Sequence, residues 1–193
     1  DLKTIISLGF LPPVNKMQKV DSKKEETTFF PVELMYSKFS KLVQLNNLVD
    51  KNILFPKEYP YTSSTTKILR ENFKELYEEC CKLISLKSND LVIDIGSNDG
   101  NLLSNFKDHH KVLGITPEKI GKIAVKRGIK TLIRYFDKKT CKLVIRKYGK
   151  AKIITATNVF AHIEDVNSLM KNIMSLLDKD GMFISESHYL VSL

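Results

Sequence analysis

Leu91-Val92-Ile93-Asp94-Ile95-Gly96-Ser97-Asn98-Asp99-Gly100-Asn101-Leu102-Leu103 reads as a strand, a tight turn and a helix start. The apolar run Leu91–Ile95 suits a strand buried on both faces. Gly96 would let backbone approach a ligand with no Cβ in the way, and Gly100 would allow positive φ or close packing. In an open α/β sheet, ligands bind beyond the carboxyl ends of the strands, where a strand gives way to its helix. The turn lacks the G-x-G-x-x-G spacing that sets a pyrophosphate on a helix N-terminus, which disfavours a nicotinamide dinucleotide. On its own the stretch also fits a strand–turn–helix joint that binds nothing.

Outward from this turn, short apolar runs alternate with helical stretches. Leu91–Ile95, Val112–Ile115, Thr131–Ile133, Lys152–Ala156 and Met182–Glu186 read as buried strands, with helices at about 101–108, 118–127, 138–147 and 164–178. That alternation predicts an α/β fold: a doubly wound parallel sheet with helices on both faces. Upstream, the apolar positions Ile68, Leu69, Phe73, Leu76, Tyr77, Cys80 and Leu83 recur at three- and four-residue spacing. They predict one amphipathic helix over about Thr66–Leu86, entered from a loop that ends in an N-cap. Residues 1–45 are expected to be irregular, punctuated by Gly9, Pro12, Pro13 and Pro31, with a charged stretch from Lys19 to Glu26. Phe29–Leu34 and Lys41–Leu45 are candidate strands of a small N-terminal β-rich module. The expected organisation is a module over 1–45, a linker loop and helix over 46–88, and the sheet domain over 89–193.

The 193 residues carry 31 basic and 22 acidic side chains, a net charge of +9. Only four of the basic residues are arginines (Arg70, Arg127, Arg134, Arg146), and no Arg- and aromatic-rich strand suggests base stacking. A lysine-rich solvated surface is therefore expected, with no nucleic-acid partner. Cys80, Cys81 and Cys141 have neither disulfide nor metal-ligand spacing. No apolar run approaches the ~20 residues needed to cross a bilayer, so a soluble, cytoplasmic protein without a membrane partner is expected.

The form hydrophobic-hydrophobic-Asp-hydrophobic-Gly-x-x-x-Gly over Val92–Gly100 is similar to the glycine motif of class I S-adenosylmethionine (SAM) methyltransferases. The resemblance implies a Rossmann-like sheet with SAM at Asp94, Gly96, Ser97, Asn98 and Gly100, and Asp94 near the amino group of the cofactor. It narrows when further segments are read in order: Leu8-Gly9-Phe10-Leu11-Pro12-Pro13-Val14-Asn15, Leu42-Val43-Gln44-Leu45, Tyr59-Pro60-Tyr61-Thr62-Ser63-Ser64 and Asn158-Val159-Phe160-Ala161-His162. Together they resemble the sugar C-methyltransferase family, which methylates keto-deoxysugar nucleotides. The resemblance implies that Tyr61 and Ser63 belong to a segment folding over SAM, or else to a plain helix-entry loop. Phe136, after the third strand, would pack on the adenine or simply in the core. His162, with Asn158 before it, would hydrogen-bond substrate or base, or else only local backbone. His188 lies at the same edge, and His109 and His110 at the opposite one.

Three departures from that family shape the expectations. The family's zinc module uses two Cys-x-x-Cys pairs, but Ser37 and Ser40 stand at the second pair and the first would lie before Asp1. Serine hydroxyls are poor zinc ligands beside thiolates, so no structural zinc is expected here. The acid that bonds the ribose at the end of the second strand is replaced by Thr116 in Thr116-Pro117-Glu118, with Glu118 available nearby. The family's Tyr-His-Glu-His segment is not reached by Leu193, so the sheet is expected to be incomplete at its C-terminus and the chain to be a fragment, inactive alone. The implied reaction is proton removal beside a ketone, then in-line attack of the enolate on the SAM methyl group. The alternatives are a methyltransferase of the same fold acting on another small molecule, and a non-catalytic binding module.

Overall fold

A computed structural model describes residues 1–16, 20–21 and 26–189, so most of the Lys19–Glu26 stretch and the last four positions lie outside the described residues. The chain divides into two compact units, Asp1–Tyr59 and Pro60–Leu193. Residues 46–59, expected in the linker, group with the first unit, and the amphipathic helix groups with the second.

The first unit holds an antiparallel sheet of β1 (Leu2–Leu11), β2 (Phe30–Ser37) and β3 (Val43–Leu45) in that order. The ten-residue β1 replaces the irregular segment expected there. Its register on β2 shifts between Ser7 and Phe10, where Gly9 has φ +74°. The glycine that argued for irregularity is instead an interruption the strand absorbs as a bulge. A short helix α1 (Lys51–Leu54), unanticipated within the loop, starts where Asp50 accepts the Asn52 amide at 2.7 Å.

The second unit is built on a five-stranded sheet of β4 (Leu91–Ile95), β5 (Lys111–Thr116), β6 (Thr131–Ile133), β7 (Ala151–Thr157) and β8 (Leu177–Glu186). The order is β6-β5-β4-β7-β8, and every neighbouring pair is parallel. This is the doubly wound order, in which the winding reverses between the first strand and the fourth, here β4 and β7. The alternation of β4 separates two cores. Leu91, Ile93 and Ile95 pack with Cys141 and Val144 of α4 (Lys138–Tyr148) and with Leu169, Ile173 and Leu176 of α5 (Val166–Leu176). Val92 packs with Phe73 and Cys80 of α2 (Lys67–Leu83), with Leu102, Leu103 and Phe106, and with Ala124 of α3 (Gly121–Lys126).

The stretch expected to be a helix over 101–108 forms only a 3-10 turn at Leu103–Asn105. Its polar side chains cap backbone carbonyls: the Ser104 hydroxyl donates to Gly100 O at 2.9 Å, and the Asn105 amide to Leu102 O at 3.2 Å. Such bonds compete with a regular helical ladder. No helix among the described residues is long and apolar enough to cross a membrane.

Candidate functional site

The carboxyl ends of β4 and β7 meet where the sheet order reverses, and the chemistry-bearing residues gather there. Asp94 stands opposite Thr155 across the two strands, and the Thr155 hydroxyl donates to Asp94 Oδ1 at 2.7 Å. Both residues are buried. Burial pushes the Asp94 carboxyl up from 3.8 to about 7, with the Thr155 hydrogen bond opposing part of that rise.

Just beyond Asp94 the chain turns tightly. The amides of Gly96 and Ser97 both donate to Ile115 O, at 2.7 and 3.2 Å, tying the turn to the end of β5. Gly96 has φ +77°, and a Cβ there would lie 2.2 Å from Val159 Cγ2. The turn after β4 and the loop after β7 are therefore in direct contact, which only glycine permits. Ser97 is buried, and its hydroxyl is the one buried side-chain polar atom among the described residues with no partner. It lies against Gly114 of β5, where a Cβ would come within 2.5 Å of it. Gly100, at φ +81°, closes the turn against Ile129 and Ala124.

The next polar side chains reach back to the segment before α2. Asn98 accepts the Ser63 amide at 3.0 Å and donates to Tyr61 O at 3.1 Å. Asp99, fully buried, accepts the Ser63 hydroxyl at 2.6 Å and also the Ser64 hydroxyl. Asn101 donates to Ser63 O at 3.1 Å. Arg127, at the end of α3, donates to Asp99 O at 3.0 Å and to its carboxylate at 3.1 Å. Burial acts to raise the Asp99 carboxyl, but the hydrogen bonds from Ser63 and Ser64 and the Arg127 charge outweigh it and hold it below the usual value. Tyr61 is exposed, and its phenol is pushed up by partial burial and by the Asp99 charge.

At the end of β5, Thr116 is buried and its hydroxyl donates to the buried Glu118 carboxylate, with half-buried Pro117 between them. After β7, Asn158 takes φ +54° and donates its side-chain amide to Glu186 Oε1 at 3.0 Å. The other oxygen of Glu186 accepts from Asn72 of α2 at 2.9 Å. His162 lies at the open rim of the same edge, where partial desolvation lowers its pKa. His188 is exposed beyond β8. Phe136 packs half-buried against the α4–α5 core.

The candidate residues thus converge on one edge, but the side-chain polar atoms of Ser63, Asn98 and Asn158 are bonded within the protein and shape the site. Asp99, Asn101, Ser64, Arg127, Thr155 and Glu186 were not singled out from sequence, although Asp99 and Asn101 lie inside the decisive stretch. Ser64, Asp99 and Asn101 carry a signal, as polar residues where a helix is expected to begin, whereas Arg127, Thr155 and Glu186 carry none.

Ser37 and Ser40, at the turn after β2, do not fit zinc. They offer hydroxyls in place of thiolates, and the Ser37 hydroxyl accepts the Ser40 amide at 3.2 Å. Among the described residues no group of three His, Cys, Asp or Glu is placed to hold a metal.

A parallel sheet in doubly wound order, with an acid and a glycine turn at its switch point, is a fold many enzymes share. A family model described as "Methyltransferase domain" matches residues 67–191. The chain belongs to that methyltransferase domain family. It is 27% identical to "C-methyltransferase NovU" of Streptomyces niveus over 195 aligned positions, which take in all of this chain and 46% of NovU. The chain therefore spans about half the length of the curated relative it matches. Among solved structures, the precorrin-6y C5,15-methyltransferase of Geobacter metallireducens is 11% identical at a TM-score of 0.47, over 68% of this chain and 70% of that one. The plantazolicin methyltransferase BpumL, in complex with SAH, is 18% identical at 0.45, over 60% of this chain and 44% of that one.

Proposed function

We propose that the Pro60–Leu193 unit binds SAM and serves a C-methyltransferase acting on a keto-deoxysugar nucleotide. The observation that carries this reading is the buried Asp94 at the switch point, held by Thr155 and followed by a glycine turn whose Asn98 bonds the Tyr61–Ser64 segment. The residues present suit the cofactor. Asp94 would take its amino group, the unpartnered Ser97 hydroxyl would bond its polar end, and Glu118, approached by Thr116, would accept from a ribose hydroxyl. When bound, SAM supplies a methyl group already activated on a sulfonium.

The protein's own part is then to orient that group and exclude water. Tyr61 and the Asn158–His162 loop border the edge from which a substrate would approach. His162, kept largely neutral near pH 7 by its lowered pKa, is suited to accept or donate one hydrogen bond to a carbonyl or hydroxyl there. Carbon as the methyl acceptor is supported by the likeness to a C-methyltransferase, and the sugar nucleotide by the ordered motifs from Leu8 to His162. A small-molecule partner, and no nucleic acid, is the consequence.

Isothermal calorimetry of the chain with S-adenosylhomocysteine (SAH) tests the cofactor reading. Binding that Asp94→Asn weakens is expected; the absence of heat at millimolar ligand sinks it.

A further inference from the structure

The segment bordering the cofactor edge is held from two sides. Thr66, the residue before α2, makes no side-chain cap bond, but Arg70 of α2 donates to Ser64 O at 2.6 Å and to Thr65 O at 3.2 Å. The second hold comes from the glycine turn and from Arg127, at the end of α3. The guanidinium forks: Nη1 bonds both Asp99 O and Asp99 Oδ2, while Nη2 bonds the Ser64 hydroxyl at 3.0 Å. Asp99 in turn receives the hydroxyls of Ser63 and Ser64 and, at 3.4 Å, the Ser64 amide. Glycine turn, α3 and Tyr61 segment are thereby fastened at one buried carboxylate.

We propose that Arg127 is a positioning residue: acting through Asp99 and Ser64, it sets where the Tyr61–Ser64 segment lies over the cofactor edge, and so sets cofactor affinity. This rests on the SAM reading above. The chemistry is suited to it. A charge-assisted, forked donor fixes direction as well as distance, which a lysine ammonium does less well. Asp99 is fully buried whereas Arg127 is 37% exposed, so the arginine can be replaced with little disturbance of the core. The same partial exposure lets water compete for the guanidinium.

The test uses Arg127→Met and Arg127→Lys in the full chain, read by amide hydrogen exchange at Ser63 and Ser64 and by SAH calorimetry. Arg127→Met should speed exchange at both amides and weaken SAH about tenfold, the size of one charge-assisted bond lost. Arg127→Lys should recover part of both. Faster exchange with unchanged SAH affinity overturns the proposal, because the fastening would then be merely structural; so does unchanged exchange. If the unaltered chain binds no SAH, the cofactor reading fails and this role falls with it. Exchange at Ser63 and Ser64 separates the cases, since only in that event do the fastening and the affinity part company without any substitution.

Discussion

Thr155 on β7 donates its hydroxyl to Asp94 on β4 across 2.7 Å, at the place where the order of the sheet reverses. That bond joins the two strands whose loops, at Gly96 and Val159, also touch. One carboxylate therefore lies where strand pairing and loop contact coincide.

Its titration gives the first prediction. The Asp94 carboxyl sits at about 7 in the folded chain against 3.8 for an ordinary aspartate. A raised folded value means its contribution to stability is complete below about pH 4 and is lost as pH rises through about 7. Asp94→Asn keeps an acceptor for Thr155 without the charge. The variant should therefore gain thermal stability relative to the parent between pH 5 and pH 8, by up to a few kcal/mol. SAH binding should behave oppositely, since a cationic amino group favours the ionised acid: affinity should fall below pH 7 in the parent. Melting curves and calorimetry at both pH values check the pair, and a pH-independent difference between the two proteins refutes it.

Gly96→Ala should be among the most damaging single-methyl changes. The new Cβ meets Val159 Cγ2 at 2.2 Å and the backbone stands at φ +77°, so packing and conformation both object. A loss of about 2–4 kcal/mol is expected, combining overpacking with a left-handed alanine. Val159→Ala in the same chain should recover the packing part but not the conformational part. Full recovery, or none, measured by denaturant unfolding, contradicts this division.

The sheet was legible where burial dominates. Leu91–Ile95 is a strand at the expected residues, because a run of apolar side chains leaves no alternative once both faces are covered. Thr131–Ile133, also a strand where expected, lies at the sheet edge with Ile133 exposed rather than buried. β1 was not legible, since Gly9 reads as a breaker unless its bulge is seen. The start of β8 was hidden for a related reason. Ala151 pairs with Leu177 but Ile153 with Met182, so Asp178–Gly181 bulge out and look like loop. Of the site, Asp94 and Gly96 could be read from one contiguous stretch. The fastening could not: Ser63 to Asp99 spans 36 positions and Ser64 to Arg127 spans 63, and no local pattern connects them.

Ser97 offers a separate check on how tightly the turn is built. Its hydroxyl and Gly114 share a space in which a Cβ would lie 2.5 Å from the oxygen and 3.1 Å from Thr131 Oγ1. Gly114→Ala should displace Ser97, costing about 1–3 kcal/mol of stability as an overpacked core does, and weakening SAH as well. Ser97→Ala should cost little stability or even add some, because the hydroxyl it removes has no protein partner. Its effect should fall on SAH affinity alone. Equal affinity in parent and Ser97→Ala would show that the hydroxyl takes no part in binding.

Glu186 provides the last prediction, because its two oxygens hold different elements. One accepts from Asn72 of α2 and the other from Asn158 of the loop after β7. Glutamine presents an amide where one of those donors points, so Glu186→Gln must lose a bond and leave two donors facing each other. A cost of about 1–2 kcal/mol follows for a partly buried pair. Asn158→Gly should be milder: φ +54° is easy for glycine, and the loss is confined to one hydrogen bond. In a double-mutant cycle Glu186→Gln and Asn158→Gly should be less than additive, since both remove the same contact. Strict additivity in the unfolding free energies would show that Glu186 does not hold this loop.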